Sequence, residues 1–189
     1  MIPKMAWQVI QLRDIKPAPW RNGGGKTREL LAWPSAQAWT WRASVAEVAE
    51  SGPFSSFVGT QRWFAVLDGD DVCLTVNGYI HMLSKSDPPL AFDGDLTTSC
   101  ELLGGATQDF NLMVQGGATA CMRRVIDNFE TTVNAPVVIA AYAHRKRALV
   151  QIGSEIHELS PHSFGWATVD ENTAVRMQTR DALLMEVTV

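Results

Sequence analysis

The sequence predicts an all-β protein of short strands, arranged as a sandwich or barrel with two related halves. Three observations lead there. Short segments rich in β-branched and aromatic residues recur along the chain, turn residues separate them at close spacing, and long helical periodicity is nearly absent.

The elements follow in order. Trp7–Leu12 partly alternates and Thr27–Leu31 reads as extended. Trp39–Ala46 alternates clearly, with Trp39, Trp41, Ala43 and Val45 on one face and Thr40, Arg42, Ser44 and Ala46 on the other; either face can point inward. Trp63–Leu67 runs through Asp68-Gly69-Asp70-Asp71 into Val72–Val76 and then Asn77-Gly78, which predicts a hairpin. Further strands are expected at Leu112–Val114, Ala120–Val125, the continuous apolar run Val137–Ala143, Ala148–Gly153, Ser163–Val169, Ala174–Met177 and Ala182–Val187. The alanines from Ala140 onward do not make a helix here, because β-branched residues lead into them and short apolar runs flank them.

No low-complexity linker divides the chain, and Asp87-Pro88-Pro89 and Gly104-Gly105 read as loops. Each half contains a strand, a glycine-centred turn and a second strand, at Val66–Val76 and again at Leu149–Leu159. This repetition predicts a duplicated sandwich or barrel.

Composition narrows the function. The 189 residues carry 16 Lys and Arg against 20 Asp and Glu, a net charge of −4, and 46% are hydrophobic. That balance describes a folded globular chain and gives no reason to expect nucleic-acid binding. The one dense basic run, His144-Arg145-Lys146-Arg147, reads as a solvated turn. No apolar run approaches the roughly twenty residues of a membrane span, and no signal-type segment opens the chain, so a cytoplasmic protein without a membrane partner is expected. Cys73, Cys100 and Cys121 are odd in number and form no CxxC pair, which predicts buried reduced thiols. Seven tryptophans can serve a homodimer interface or be buried entirely.

Polar residues concentrate in three segments. The first is Pro19–Leu30, PWRNGGGKTREL; it fails the phosphate-loop pattern because that would need glycine at Trp20 and a strand–loop–helix context. Within it Arg28 and Leu30 share one face, and Thr27, Glu29 and Leu31 the other. The second pairs Arg42 with Ser44, a guanidinium fork and a hydroxyl suited to a carboxylate. The third, Gln108–Met113, puts Asp109 and Asn111 on one face, where they can meet an amide, formyl or imidazole group or simply stabilise a turn.

Taken together, PWRNGGGKTREL, WTWRASVAEV, SGPFSSFVGTQRWFAVLDGD and DFNLM occur in the order and at the separations of the HutD/Ves family, which the chain resembles from about Trp7 through Met113. PWRNGGGKTREL looks closer to the HutD side. The resemblance implies a bicupin: two cupin-type (RmlC-like) antiparallel β-barrels in one chain, with halves of about 1–118 and 119–189. It also implies a protein of bacterial histidine utilisation that senses or sequesters a small acid such as urocanate or N-formylglutamate and so limits the pathway.

Under that expectation the pocket lies in the N-terminal barrel. Arg28 and Arg42 clamp the carboxylate, Ser44 donates to it, and Asn22, Glu29, Asp109 and Asn111 recognise the other end, with Trp20 or Trp41 as an apolar wall. No metal or other cofactor is expected. His81, His144, His157 and His162 form no HxH pair, and the one His/carboxylate cluster, Glu155, His157, Glu158 and His162, reads first as surface polarity. No nucleophile elbow is present, so no catalytic residue is assigned. Two alternatives stay open: an enzyme of hydrolase or isomerase type with Glu29 or Asp109 as general base, and a structural or protein-binding bicupin.

Overall fold

The computed structural model describes residues 4–188. The described strands are β1 (Gln8–Gln11), β2 (Ala18–Pro19), β3 (Gly25–Trp33), β4 (Trp41–Val48), β5 (Gly52–Pro53), β6 (Thr60–Asp68), β7 (Val72–Val76), β8 (Tyr79–Leu83), β9 (Leu90–Asp93) and β10 (Thr98–Leu102). They continue with β11 (Thr107–Gln115), β12 (Thr119–Val125), β13 (Asn128–Thr132), β14 (Val137–Ala143), β15 (Ala148–Ile152), β16 (Glu155–Leu159), β17 (Ser163–Val169), β18 (Ala174–Gln178) and β19 (Ala182–Thr188). A single 3-10 turn, Leu12–Asp14, is the helical element among them. No helix among the described residues is long and apolar enough to cross a membrane.

The chain divides into two compact units, one of Ile15–Gly117 and one that joins the segment ending at Asp14 to the chain from Ala118 onward. In the first unit a six-stranded sheet, β2-β3-β4-β11-β6-β9, accompanies a four-stranded sheet, β5-β10-β7-β8. In the second, a five-stranded sheet, β1-β17-β14-β19-β12, accompanies β13-β18-β15-β16. All the pairings are antiparallel. The sheets are open rather than the closed barrels the resemblance implies.

Adding eight to each strand number turns β4-β11-β6-β9 into β12-β19-β14-β17 and β5-β10-β7-β8 into β13-β18-β15-β16. What repeats is therefore the strand order, and its frame differs from the expected one. Val66–Val76 spans β6 and β7, which lie in different sheets, whereas Leu149–Leu159 is the single hairpin β15–β16. The counterpart of that hairpin is β7–β8, closed by Asn77 and Gly78 at φ 47° and 83°, the left-handed pair that a tight turn between twisted strands requires.

Asp68-Gly69-Asp70-Asp71 is accordingly a crossing between sheets and not the predicted hairpin turn. Gly69 is needed there: it has φ 93°, and a Cβ on it would lie 2.5 Å from the Ala106 carbonyl oxygen. The first segment also departs from the expected 1–118 half. β1 pairs with β17 from Gln8↔Trp166 to Gln11↔Ser163, which places it in the second unit; residues 1–3 and 189 of the expected halves lie outside the described residues. Of the three free thiols Cys100 is buried, Cys73 half-buried and Cys121 exposed, so the expectation of uniform burial holds only in part.

Each unit has an apolar core shared by its two sheets. In the second unit Val137, Ile139, Ala141 and Ala143 from β14 meet Ala148, Val150, Val175 and Met177 from the smaller sheet. Small and β-branched residues predominate in this core, with Leu159, Met177 and Leu184 among them, and β14 is buried on both faces, as its uninterrupted apolar run requires. The first unit's core, with Phe64, Val66, Val72, Leu74 and Cys100, fills only part of the corresponding space. Polar residues occupy the rest.

Candidate functional site

A cavity of about 650 Å³ opens inside the first unit. It follows from the pleat. Arg42, Ser44, Ala46 and Val48 project from one face of β4, and cross-strand pairing extends their rows: Arg42 lies opposite Met113, which lies opposite Arg62, and Ser44 lies opposite Asn111, which lies opposite Phe64. All six of these row residues line the cavity. Strands β2 and β3 have no counterpart in the second unit, and their hairpin adds Trp20, Asn22 and Thr27 to the wall.

The hairpin is set by its glycines. Trp20 receives and returns backbone hydrogen bonds across the turn, its N donating to Gly25 O at 2.9 Å and its O accepting from Gly23 N at 3.1 Å. Asn22 Oδ1 accepts from Gly24 N at 3.1 Å. Gly25 lets the Trp20 ring approach the strand closely, since a Cβ there would stand 2.5 Å from Glu47 O and 3.1 Å from the ring. Trp20 Nε1 donates to Thr27 Oγ1 at 2.8 Å, which fixes the indole as a wall. GGGKT thus runs from a β-hairpin turn into β3, with no helix following it.

Arg62 is the residue at the centre. It is 5% exposed, and its guanidinium carbon lies 5.1–5.5 Å from the ring centroids of Phe54, Phe57 and Phe92. Nη2 donates to Asn111 Oδ1 and Nη1 to the Ser55 carbonyl, both at 3.3 Å, while Nε is buried without a hydrogen-bond partner. No ion pair joins Arg62 to a carboxylate among the described residues. Burial, with a contribution from the nearby Arg42 charge, pushes its guanidinium down to about 10. Arg42 differs: its Nη2 lies 2.9 Å from Glu29 Oε2, although its Nε too is buried and unpartnered.

The structure distributes the expected site residues unevenly. Trp20, Asn22, Arg42, Ser44 and Asn111 line the cavity together, and Glu29 reaches it through Arg42. Arg28 lies on the opposite face of β3, where it pairs with Glu47; Lys26 holds the same carboxylate at 2.8 Å. Burial pushes the Glu47 carboxyl up, and the two cations outweigh this and hold it below its ordinary value. Trp41 likewise points away from Arg42 and is fully buried, so it forms no wall.

Asp109 shares the parity of Asn111 but sits off the cavity lining, 0% exposed, with Thr107 Oγ1 donating to Oδ2 at 2.8 Å and Oδ1 unpartnered. Burial pushes its carboxyl up to about 7 against the opposing pull of that hydroxyl. Burial, then the Asp109 and Cys73 charges, pushes the Cys100 thiol up to about 12.

Arg62, Thr27, Phe54, Phe57 and Met113 were not expected from sequence. Arg62 carries a signal: it shares the parity of Phe64 and Val66 in the interior of its strand, with the polar Thr60 and Asp68 only at the strand's ends, and a lone cation beside such apolar positions marks either an interior ion pair or a site. In the second unit, His157 stacks on Trp7 at 4.7 Å and 10°, with Glu155 at 3.5 Å, and no group of three metal-ligating side chains occurs among the described residues.

The HutD family model matches residues 12–185. A 21.2 kDa protein from the hutC 3' region of Pseudomonas putida is 41% identical over 108 residues, 56% of this chain and 57% of that protein. Protein Ves of Cronobacter sakazakii is 36% identical over 130 residues, 67% of this chain and 72% of its own. The structure of HutD from Pseudomonas fluorescens SBW25 superposes with a TM-score of 0.80 at 31% identity, covering 97% of this chain and 98% of that one. A cupin 2 conserved barrel domain protein from Leptotrichia buccalis shares the fold, with a TM-score of 0.55 at 9% identity and 96% coverage of both chains. The chain is therefore cupin-like in fold and belongs to the HutD family.

Proposed function

We propose that this protein is a bicupin receptor of histidine utilisation that binds a small carboxylate in the cavity of its first unit and thereby limits the pathway. The observation that carries the reading is the buried, uncompensated Arg62 beside Arg42. Leaving a guanidinium out of water without a counter-charge costs several kcal/mol, a cost that an anion entering the cavity offsets. Arg42 and Ser44 add donors on the same wall, and Asn111 is already oriented by Arg62. Trp20, Phe54 and Phe57 offer flat apolar surface to the rest of a ligand, which suits the planar body of urocanate. The cavity volume falls within the range of small-molecule sites, about 300–1,000 Å³. The HutD family and the hutC-region relative supply the histidine-utilisation setting.

A thermal-shift series with urocanate, N-formylglutamate, formiminoglutamate, histidine and glutamate tests it. A ligand that binds only the folded state stabilises it by RT ln(1 + L/Kd), where L is the free ligand concentration, so the melting temperature rises with the logarithm of concentration once the ligand exceeds Kd. A concentration-dependent rise with urocanate or another of these acids supports the receptor reading. A cooperative melt unmoved by all five contradicts it.

A further inference from the structure

The cavity's charge inventory is specific enough to assign a ligand charge. Of the three arginines that line it, Arg42 is half-buried and Arg62 buried, and no aspartate or glutamate appears on its wall. Glu29, register partner of Ser44 and on the cavity side of β3, places its Oε2 2.9 Å from Arg42 Nη2. One of the two cations is thus already matched by the protein itself. Arg21 also reaches the lining, but it is exposed and screened by solvent.

Building on the receptor reading above, we infer that Glu29 is a specificity residue that sets the cavity to accept one negative charge and to reject dianionic acids. A monocarboxylate brings the single charge that Arg62 lacks. A second carboxylate on the same small ligand must be buried against an Arg42 already occupied by Glu29, or displace that side chain and leave it to repel the ligand at close range. Rejection by a like charge is the repulsive half of specificity, and Glu29 supplies it without touching the ligand's first carboxylate.

The test uses an isosteric pair, N-formylglutamine with one carboxylate and N-formylglutamate with two, alongside urocanate, titrated calorimetrically at pH 6 where Asp109 is largely protonated. Wild-type protein is expected to favour N-formylglutamine over N-formylglutamate by about tenfold or more. Glu29→Gln, which keeps shape and removes charge, is expected to shrink that ratio about tenfold by strengthening the dianion. Equal or tighter binding of the dianion by wild type, or an unchanged ratio in Glu29→Gln, overturns the inference while leaving the receptor reading intact. If urocanate and both formyl amides fail to bind wild type, the receptor reading fails and this one with it. The wild-type comparison needs no variant, so a misfolded Glu29→Gln does not spare the inference.

Discussion

Arg42 and Arg62 flank Met113 in a single cross-strand row, so two guanidinium groups two strands apart face one cavity. Glu29 neutralises the first, and the second is surrounded by phenylalanine rings and paired with no carboxylate among the described residues. An interior cation so placed weakens the empty protein and equips it to hold an anion.

Arg62→Met should therefore separate stability from binding. The variant keeps volume and apolar contact with the rings while removing a buried charge, so the ligand-free melting temperature is expected to stay level or rise by the equivalent of about 1–2 kcal/mol. A fall of several degrees in the ligand-free melt would show that Arg62 is chiefly a structural anchor through Ser55 and Asn111.

Arg28→Ala makes the opposite separation. Arg28 carries a cation in the same hairpin, but it sits on the far face with Glu47 and Lys26. Affinity for a carboxylate should stay within about twofold of wild type, with stability lowered by no more than about 1 kcal/mol for a partly exposed pair. A loss of binding comparable to that of Arg42→Ala, measured by the same titration, would place Arg28 back in the site.

Gly25→Ala should damage the hairpin that carries the indole wall. The added methyl meets the Glu47 carbonyl and the Trp20 ring, and the overpacking is expected to cost about 1–3 kcal/mol. Chemical denaturation reads this directly, and binding of a flat acid should weaken in parallel because Trp20 is displaced. An unchanged midpoint would mean that the strand pair opens at this point without cost.

Asp109 gives stability a defined pH dependence. Folding raises its carboxyl from 3.8 to about 7, so the folded protein holds the proton more tightly than the unfolded chain. Stability from this group is greatest at low pH, falls as pH rises from near 4 through about 7, and is level above that; the whole drop is at most about 4 kcal/mol. Asp109→Asn removes the dependence and retains an acceptor for Thr107, so it should raise the melting temperature at pH 8 by much more than at pH 4.5. Parallel melting profiles for variant and wild type across that range would contradict the burial assigned to this carboxyl.

The sequence made much of the architecture legible where one physical rule acts alone. Val137–Ala143 reads as a strand buried on both faces because no polar residue interrupts it, and it forms the middle of its sheet. Asn77-Gly78 stands out in the sequence as turn chemistry and takes positive φ twice, but the strand Tyr79–Leu83 that it joins to β7 lacks the alternation that would announce it. Asp68–Asp71 carries similar turn chemistry and misleads, since a local signal cannot tell a turn within one sheet from a crossing between two.

Parity explains the successes and failures in the site. Alternation in β4 put Arg42 and Ser44 together and Trp41 on the reverse face, but with both faces buried it could not say which one meets the cavity. The family motif brought Arg28 and Arg42 to attention together, whereas the register of β3 on β4 separates them by a face. The signal at Arg62 is weak in the sequence because its motif neighbours are aromatic and its role depends on pairing with β11, a contact nearly fifty residues distant in sequence.

The most direct test is a calorimetric titration of wild type, Arg42→Ala and Arg62→Met with urocanate. The account predicts saturable, one-to-one binding to wild type and a loss of about tenfold or more in each variant, with both variants still melting cooperatively. Wild-type binding that survives unchanged in a folded Arg62→Met protein would contradict it, because the uncompensated cation would then have no part in holding the acid.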